Sequence, residues 1–327
     1  MLIIPEQEIT YIECNVSAQD YDLWSPTKSY TVGDKVTVLE DKLNYFATKD
    51  IAAGVAPDKN DPKGLVSGWF AETSNRYKML EKNIYNQTVN EELIRFSFRS
   101  TNIDTLSFLN VEAREIYIKI SDFTTGTVLY EETKSMSDNG ISLYHYFFVP
   151  AFLKDKITER LEGTVYEDKI GEIIENLPLE ELVDRYTVNP PLFFNAKIEV
   201  EIRRPNGVAK CGKVFVGQSI DLGCSIWSGS SIKTKRFGKV EQDEYFGNYN
   251  IEKGNIVNQI TVPVVIDTKK VDYALSVLKK YAYDFCLFTA DPKQNISSFT
   301  AYGLAEDTSF SPMPYMTQYT LKIGSTI

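Results

Sequence analysis

The chain is short of the residues that most chemistry depends on. It has one histidine, His145, and four cysteines, Cys14, Cys211, Cys224 and Cys286. No two cysteines stand at Cys-x-x-Cys spacing, and one imidazole cannot complete a ligand set, so no metal site is expected. Any Ser-His-Asp or Cys-His scheme would have to run through His145, which reads as structural within the aromatic run Tyr144-His145-Tyr146-Phe147-Phe148. The scattered thiols read as buried and reduced. Gly207, Gly212 and Gly217 are not followed by Gly-Lys-Ser/Thr, which excludes a phosphate loop, and no cofactor is expected.

Long apolar runs are missing too. No stretch approaches the ~18 residues of a membrane-spanning helix. The opening MLIIPEQEITYIECNV lacks the basic and apolar regions of a signal peptide and reads as a β-strand. The expectation is a chain made in a cytoplasm and not inserted in a membrane. Positive charge is in deficit: 35 Lys and Arg stand against 45 Asp and Glu, a net charge of −10. A general nucleic-acid binder needs a cationic face to displace counterions, so nucleic acid is not an expected partner.

Aromatic residues, at 13%, are plentiful, with 20 Tyr and 18 Phe. Flat rings favour sheets and contact surfaces, because they bury much area at low entropic cost. At 327 residues the chain should hold more than one domain.

Residues 21–72 form the first organised unit. Gly33-Asp34 leads into the alternating strand 35–39, Asp41-Lys42 turns the chain, and 43–47 returns. A loop rich in Gly, Pro, Asp and Asn follows, closed by Trp69-Phe70. Few aliphatic residues are available, so rings must supply the core. The ordered set Trp24, Tyr30 with Gly33-Asp34-Lys35-Val36, Tyr45 with Ala47, Gly54 with Pro57, and Trp69 resembles the small chitin-binding-type carbohydrate-binding modules. That resemblance implies stacking of rings on sugar faces. The carbohydrate-binding candidates are Trp24, Tyr30, Tyr45 and Trp69, and two readings stay open: the rings form the core, or at least one is exposed to glycan. Trp24 and Trp69 bound the module and are the ones expected to be exposed. Tyr30 and Tyr45 flank the hairpin and are expected to close the core.

Residues 1–20 read as an N-terminal strand or arm. Residues 73–232 carry short strands at turn-punctuated intervals, the pattern of a β-sandwich or jelly roll. Residues 193–203 alternate strongly, Arg204-Pro205-Asn206-Gly207 reads as a turn, and 213–218 as a further strand. Residues 150–186 change texture: apolar positions spaced among many charges read as a helical insertion. Residues 223–239 read as a loop carrying the basic run Lys233-Thr234-Lys235-Arg236. Residues 233–327 read as strand, helix and strands, with Asp267-Thr268 capping a helix whose apolar positions are Val271, Ala274, Leu275 and Leu278. The expected fold class is mainly β with α+β parts: a small aromatic-cored β-module, a β-sandwich or jelly roll with a helical insertion, and a C-terminal α/β unit.

Four blocks resemble a recurring tail- or neck-associated structural protein of bacteriophage virions that carries an N-terminal carbohydrate-binding-like module. They are Gly68-Trp69 with 74–80; Leu109-Asn110-Val111-Glu112-Ala113 before 117–120; 144–148; and 242–248 ahead of the strand–helix–strand and Ala301-Tyr302-Gly303. The resemblance implies a non-enzymatic assembly role in the tail, baseplate or neck. It implies other virion proteins and further copies of the chain as partners, host-surface glycan as a ligand, and the virion as location. Residues 150–186 and 223–239 are the expected contact segments, since they interrupt the β-framework. Two alternatives remain: a dedicated glycan-binding adhesin, and a polysaccharide-degrading enzyme. The latter needs two carboxylates across a sugar, for which the sequence offers Glu131-Glu132, Glu180-Glu181 and Asp243-Glu244.

Overall fold

The computed structural model describes residues 1–135, 145–148, 195–236, 239–242, 249–252, 256–290, 300–306, 308–311 and 314–325. Within these residues the protein is mainly β, as its composition implies. The first strands are β1 (Leu2–Pro5) and β2 (Thr10–Cys14), followed by β3 (Lys35–Val38), β4 (Leu43–Ala47) and β5 (Trp69–Thr73). Next come β6 (Thr88–Ser100), β7 (Thr105–Glu112), β8 (Glu115–Asp122), β9 (Val128–Ser135), β10 (His145–Phe148) and β11 (Ala196–Gly217). The remainder is β12 (Ile220–Asp221), β13 (Cys224–Ser225), β14 (Ser231–Arg236), β15 (Lys239–Gln242), β16 (Tyr249–Glu252), β17 (Ile256–Asp267), the helix α1 (Val271–Lys280), β18 (Cys286–Thr289), β19 (Thr300–Ala305), β20 (Ser309–Ser311) and β21 (Met316–Ser325). The helical insertion expected at 150–186 lies outside the described residues.

The central sheet is organised by β11. One edge pairs with β6 from Ala196 to Cys211; the other pairs first with β8 and then with β7. Strands β7 and β8 run in the same direction along β11 and act as one strand interrupted at Ala113-Arg114, where Arg114 N–H donates to the Arg203 carbonyl at 2.8 Å. All three long strands are irregular at this level. The β11–β6 register shifts between Arg203 and Val208. Asn206, with φ 59°, and Glu92, with φ 55°, take the left-handed conformation that an irregular ladder needs. Arg204-Pro205-Asn206-Gly207 is therefore a bulge inside a continuous strand, not the hairpin turn the sequence implies. Pro205 has no N–H to give to a ladder and is tolerated at such an interruption. Charges gather here. Arg203 pairs with Glu115 at 2.9 Å and with Glu201 at 2.5 Å, and Glu112 receives Arg204 at 2.9 Å and Lys210 at 3.1 Å.

Alternation places Ile198, Val200 and Ile202 of β11 inward with Phe96, Phe98, Ile116 and Ile118, and the core continues through Phe108, Val214 and Val216. On the C-terminal half of β11 the opposite face is buried as well. Phe215, with Leu109 and Ile84, meets Ile4, Leu287 and Tyr302 of a second sheet.

That second sheet has the order β12-β1-β18-β19-β21-β17-β13, with β14 also on β17 and β20 on β21. Its other face packs against α1 through Ala274, Val277 and Leu278, in a core that includes Ile3, Val262, Val264, Phe288, Tyr319 and Leu321. Asp267 accepts the Lys269 N–H at 2.9 Å and caps the turn that leads into the helix. All strand pairs of this unit are antiparallel. The stretch 1–20, expected as a strand or arm, is divided between the sheets: β1 lies inside the second sheet between β12 and β18, and β2 lies on β6 of the first. The apolar run Leu2-Ile3-Ile4 suits a strand buried on both faces. The stretch 220–232, expected to end the middle unit, supplies β12, β13 and the start of β14 to the C-terminal sheet. The basic run expected in a loop therefore lies on β14, in register with 256–261 of β17.

Candidate functional site

The module is a three-stranded sheet, β3-β4-β5, with register Val36↔Tyr45↔Ala71 and Lys35↔Phe46↔Phe70. Gly33, at φ 92°, makes the turn into β3, with its N–H on the Ala47 carbonyl at 2.8 Å, and Asp34 accepts the Thr31 N–H at 2.7 Å. At the hairpin, Lys42 at φ 61° closes onto the Leu39 carbonyl at 3.2 Å.

One face of this sheet is a ring-lined core. Tyr30, Val36, Tyr45, Ala47, Ile51 and Trp69 are buried, with Trp24, Val38, Leu43 and Ala71 packed against them. Tyr30 and Trp69 meet edge to face at 5.0 Å. The polar atoms of the rings are satisfied internally. Trp69 Nε1–H donates to the Val55 carbonyl at 3.2 Å, Tyr45 O–H to Asp41 at 3.0 Å, and Ser25 N–H to the Tyr30 hydroxyl at 2.8 Å. Burial, and then the Asp41 carboxylate, push the Tyr45 phenol well above its ordinary range.

Three of the four candidate rings, Tyr30, Tyr45 and Trp69, therefore lie in the module's core, and Trp24 packs against them. Tyr30 and Tyr45 close it as expected. Trp69, expected to be exposed, is 0% accessible, because the end of the loop places it on the core side of β5. Trp24 is half-buried, its backbone N–H on the Thr37 carbonyl at 3.3 Å.

The accessible rings lie on the other face. Tyr45 and Trp69 are each followed by a phenylalanine, and successive residues of a strand point to opposite faces. Phe46 and Phe70 thus stand side by side, 6.4 Å between centroids, with Tyr21 against Phe46 at 6.0 Å. Phe70 is 45% exposed, and Phe46 and Tyr21 are half-buried. The Lys35 ammonium lies 5.3 Å from the Tyr21 centroid and 5.0 Å from that of Phe46. Beyond Phe70, Lys63 is its bridge partner and is exposed. The signal for this face is present in the doublets Tyr45-Phe46 and Trp69-Phe70, read with period two.

The loop before β5 is also a built structure. Asp61 accepts the N–H groups of Leu65, Val66 and Ser67 at 3.0, 2.8 and 2.8 Å, and the Ser67 hydroxyl at 3.0 Å. These bonds hold its carboxyl below the usual range. They present Leu65 and Val66, 80% and 83% exposed, at the surface. Asp20 ties the module to the body, accepting from Asn44 Nδ2 and from the Asn75 N–H, each at 2.7 Å.

Of the carboxylate pairs, Glu131-Glu132 lies within the described residues. Glu131 and Glu132 are neighbours on β9 and so face opposite ways; Tyr117 O–H donates to Glu131 at 2.8 Å, and Glu132 takes the Tyr130 hydroxyl. Glu180-Glu181 and Asp243-Glu244, like the His145 side chain, lie outside the description. None of the four cysteines is in a disulfide; Cys211 and Cys286 are buried, which pushes their thiols up to about 12. Among the described residues no cluster of His, Cys, Asp or Glu is placed to hold a metal ion, and no helix is long and apolar enough to cross a membrane. Comparison with family models, characterised proteins and solved structures gave no match.

Proposed function

We propose that this chain is a structural component of a bacteriophage virion, in the tail, baseplate or neck, that mediates protein–protein assembly and contributes to attachment at the host surface. The reading is carried by one combination: the ordered Trp24, Tyr30, Gly33-Asp34, Tyr45, Trp69 module joined to a mainly β body, with the four sequence blocks that resemble virion structural proteins distributed over both. Two further features support it. Strand β1 is held in one sheet and β2 in the other, a tie suited to a part that bears load between neighbours. The Leu65-Val66 tip is held by Asp61 in a fixed outward pose, as a contact surface requires.

Partners on this reading are other virion proteins and further copies of the chain, with interfaces of about 1,200–2,000 Å² in total. Residues 150–186 and the exposed β14 segment within 223–239 are proposed contact surfaces. The test is a quantitative mass-spectrometric inventory of purified particles. A fixed copy number per particle is the expected result; absence from particles that carry the remaining structural proteins overturns the reading.

A further inference from the structure

We infer that the outer face of the module sheet, and not its core rings, is a binding site for an acidic polysaccharide. The inference rests on the attachment part of the proposed function and adds the place and the charge of the ligand. Four residues line up across neighbouring strands in register: Lys35, Phe46, Phe70 and Lys63. Residues directly opposite in antiparallel pairs share a face, so this row is one strip, two rings with a lysine at each end. Tyr21 flanks it at the Lys35 end, where the ammonium lies over both rings.

Each part of the strip has a chemical use. Phe70 offers an accessible apolar ring against which the CH-rich face of a pyranose can pack. Phe46, one strand away, offers a second ring at 6.4 Å, a step comparable with one sugar residue. A neutral chain would use the rings alone. Two cations bracketing them favour a chain with an anion on successive residues, a polyuronate being the simplest. Lys35 can leave its rings for a carboxylate at small cost, because an exposed cation–π contact is weak, about 0.5–1 kcal/mol. Three acids near the sheet are already engaged: Asp61 by its own loop, Glu72 by Lys78 at 2.8 Å, and Asp20 by Asn44 and Asn75, each at 2.7 Å.

The experiment is calorimetric titration of the full chain with oligomannuronate, and with chitohexaose as the neutral probe, at low and moderate salt. The expected result is binding of oligomannuronate that weakens with salt. Phe70→Ala should weaken it at least about tenfold with the melting temperature nearly unchanged, since the ring is half in solvent. Lys35→Gln with Lys63→Gln should weaken it and flatten the salt dependence. Absence of oligomannuronate binding overturns the inference, as does binding that Phe70→Ala leaves intact. Binding of chitohexaose with equal affinity, unaffected by the lysine changes, also overturns it, while leaving glycan attachment standing. The particle inventory decides the virion reading separately, so the two can fail independently.

Discussion

Lys213 and Glu6 are 207 positions apart in the chain and meet at 2.6 Å between the two large sheets. The lysine side chain is 0% exposed. Its ammonium also donates to the Glu81 carbonyl at 2.9 Å and lies 5.6 Å from the Tyr302 centroid. Burial depresses its pKa, against the pull of Glu6. The pair therefore fixes how the end of β1, the C-terminal half of β11 and β19 sit together.

The first prediction concerns that pair. Glu6→Ala leaves a buried ammonium without its counter-charge and should destabilise the protein by about 3–5 kcal/mol in urea unfolding. The double change Glu6→Gln with Lys213→Met removes the charge itself and should recover most of the loss. A cost below about 1 kcal/mol for Glu6→Ala would show that water or another group already solvates Lys213.

The second prediction separates core from platform in the module. Trp69→Ala removes a fully buried ring that packs on Tyr30, and should cost about 3–5 kcal/mol. Phe70→Ala, one residue along, should cost well under half of that. Thermal unfolding of the two variants side by side is the check. Equal losses would contradict the assignment of faces.

How far the sequence could be read depends on the range of the interaction. The β3–β4 hairpin was legible because Gly33-Asp34 and Asp41-Lys42 bracket two alternating runs, and a hairpin is set by local turn chemistry. The helix 271–280 was legible from Asp267 and the spacing of Ala274 and Leu278. The bulge at 204–207 was not. Arg-Pro-Asn-Gly has the composition of a turn, and only the continuous β6 partner, a hundred residues earlier, makes it an interruption within one strand. The placement of β1 in the C-terminal sheet is invisible for the same reason. In the module, the sequence placed Tyr30 and Tyr45 in the core but expected Trp69 at the surface, where the structure buries it. That depended on the register of β5 on β4, which sets Trp69 opposite Ala47 on the core face.

The third prediction is an alkaline limit on stability. Burial is the first cause that raises the phenols of Tyr45, Tyr302 and Tyr319 above their ordinary value of 10.0. Their folded pKa exceeds the unfolded one, so their contribution is complete below pH 10 and is lost as pH rises above it, where only the unfolded state gives up the proton. Each phenol contributes a slope of about 1.4 kcal/mol per pH unit there. Lys213 acts in the opposite sense, since its folded pKa is depressed. A single variant isolates one phenol. Tyr319→Phe loses the hydrogen bond to the Leu222 carbonyl, at 2.6 Å, and should cost about 1 kcal/mol at pH 8. Above pH 10 its stability should fall less steeply than that of the parent. Parallel curves to pH 11 would mean that the Tyr319 phenol gives up its proton as readily in the folded as in the unfolded state, against the effect of its burial.

The last prediction tests the close approach that seats the central sheet on the segment following the module. Gly212 of β11 lies beneath residue 84: an added Cβ would stand 2.1 Å from the Ile84 carbonyl oxygen and 2.9 Å from Asn110 Cβ. Both obstacles are fixed. Ile84 is buried in the cluster between the sheets, and its carbonyl accepts Asn110 Nδ2–H at 2.9 Å. The backbone, and not a flexible side-chain end, would have to yield. Overpacking of this kind costs about 1–3 kcal/mol, and the lost Asn110 bond adds to it. Gly212→Ala should therefore lower the unfolding midpoint clearly, while Gly54→Ala, where nothing lies within 4 Å, meets only the conformational strain of its φ of 89°. Pairing Gly212→Ala with Asn110→Gly, which takes away the Asn110 Cβ, removes one of the two obstacles but leaves the carbonyl, so the double variant should regain little. Full recovery would mean that Asn110, and not the backbone at Ile84, sets the contact.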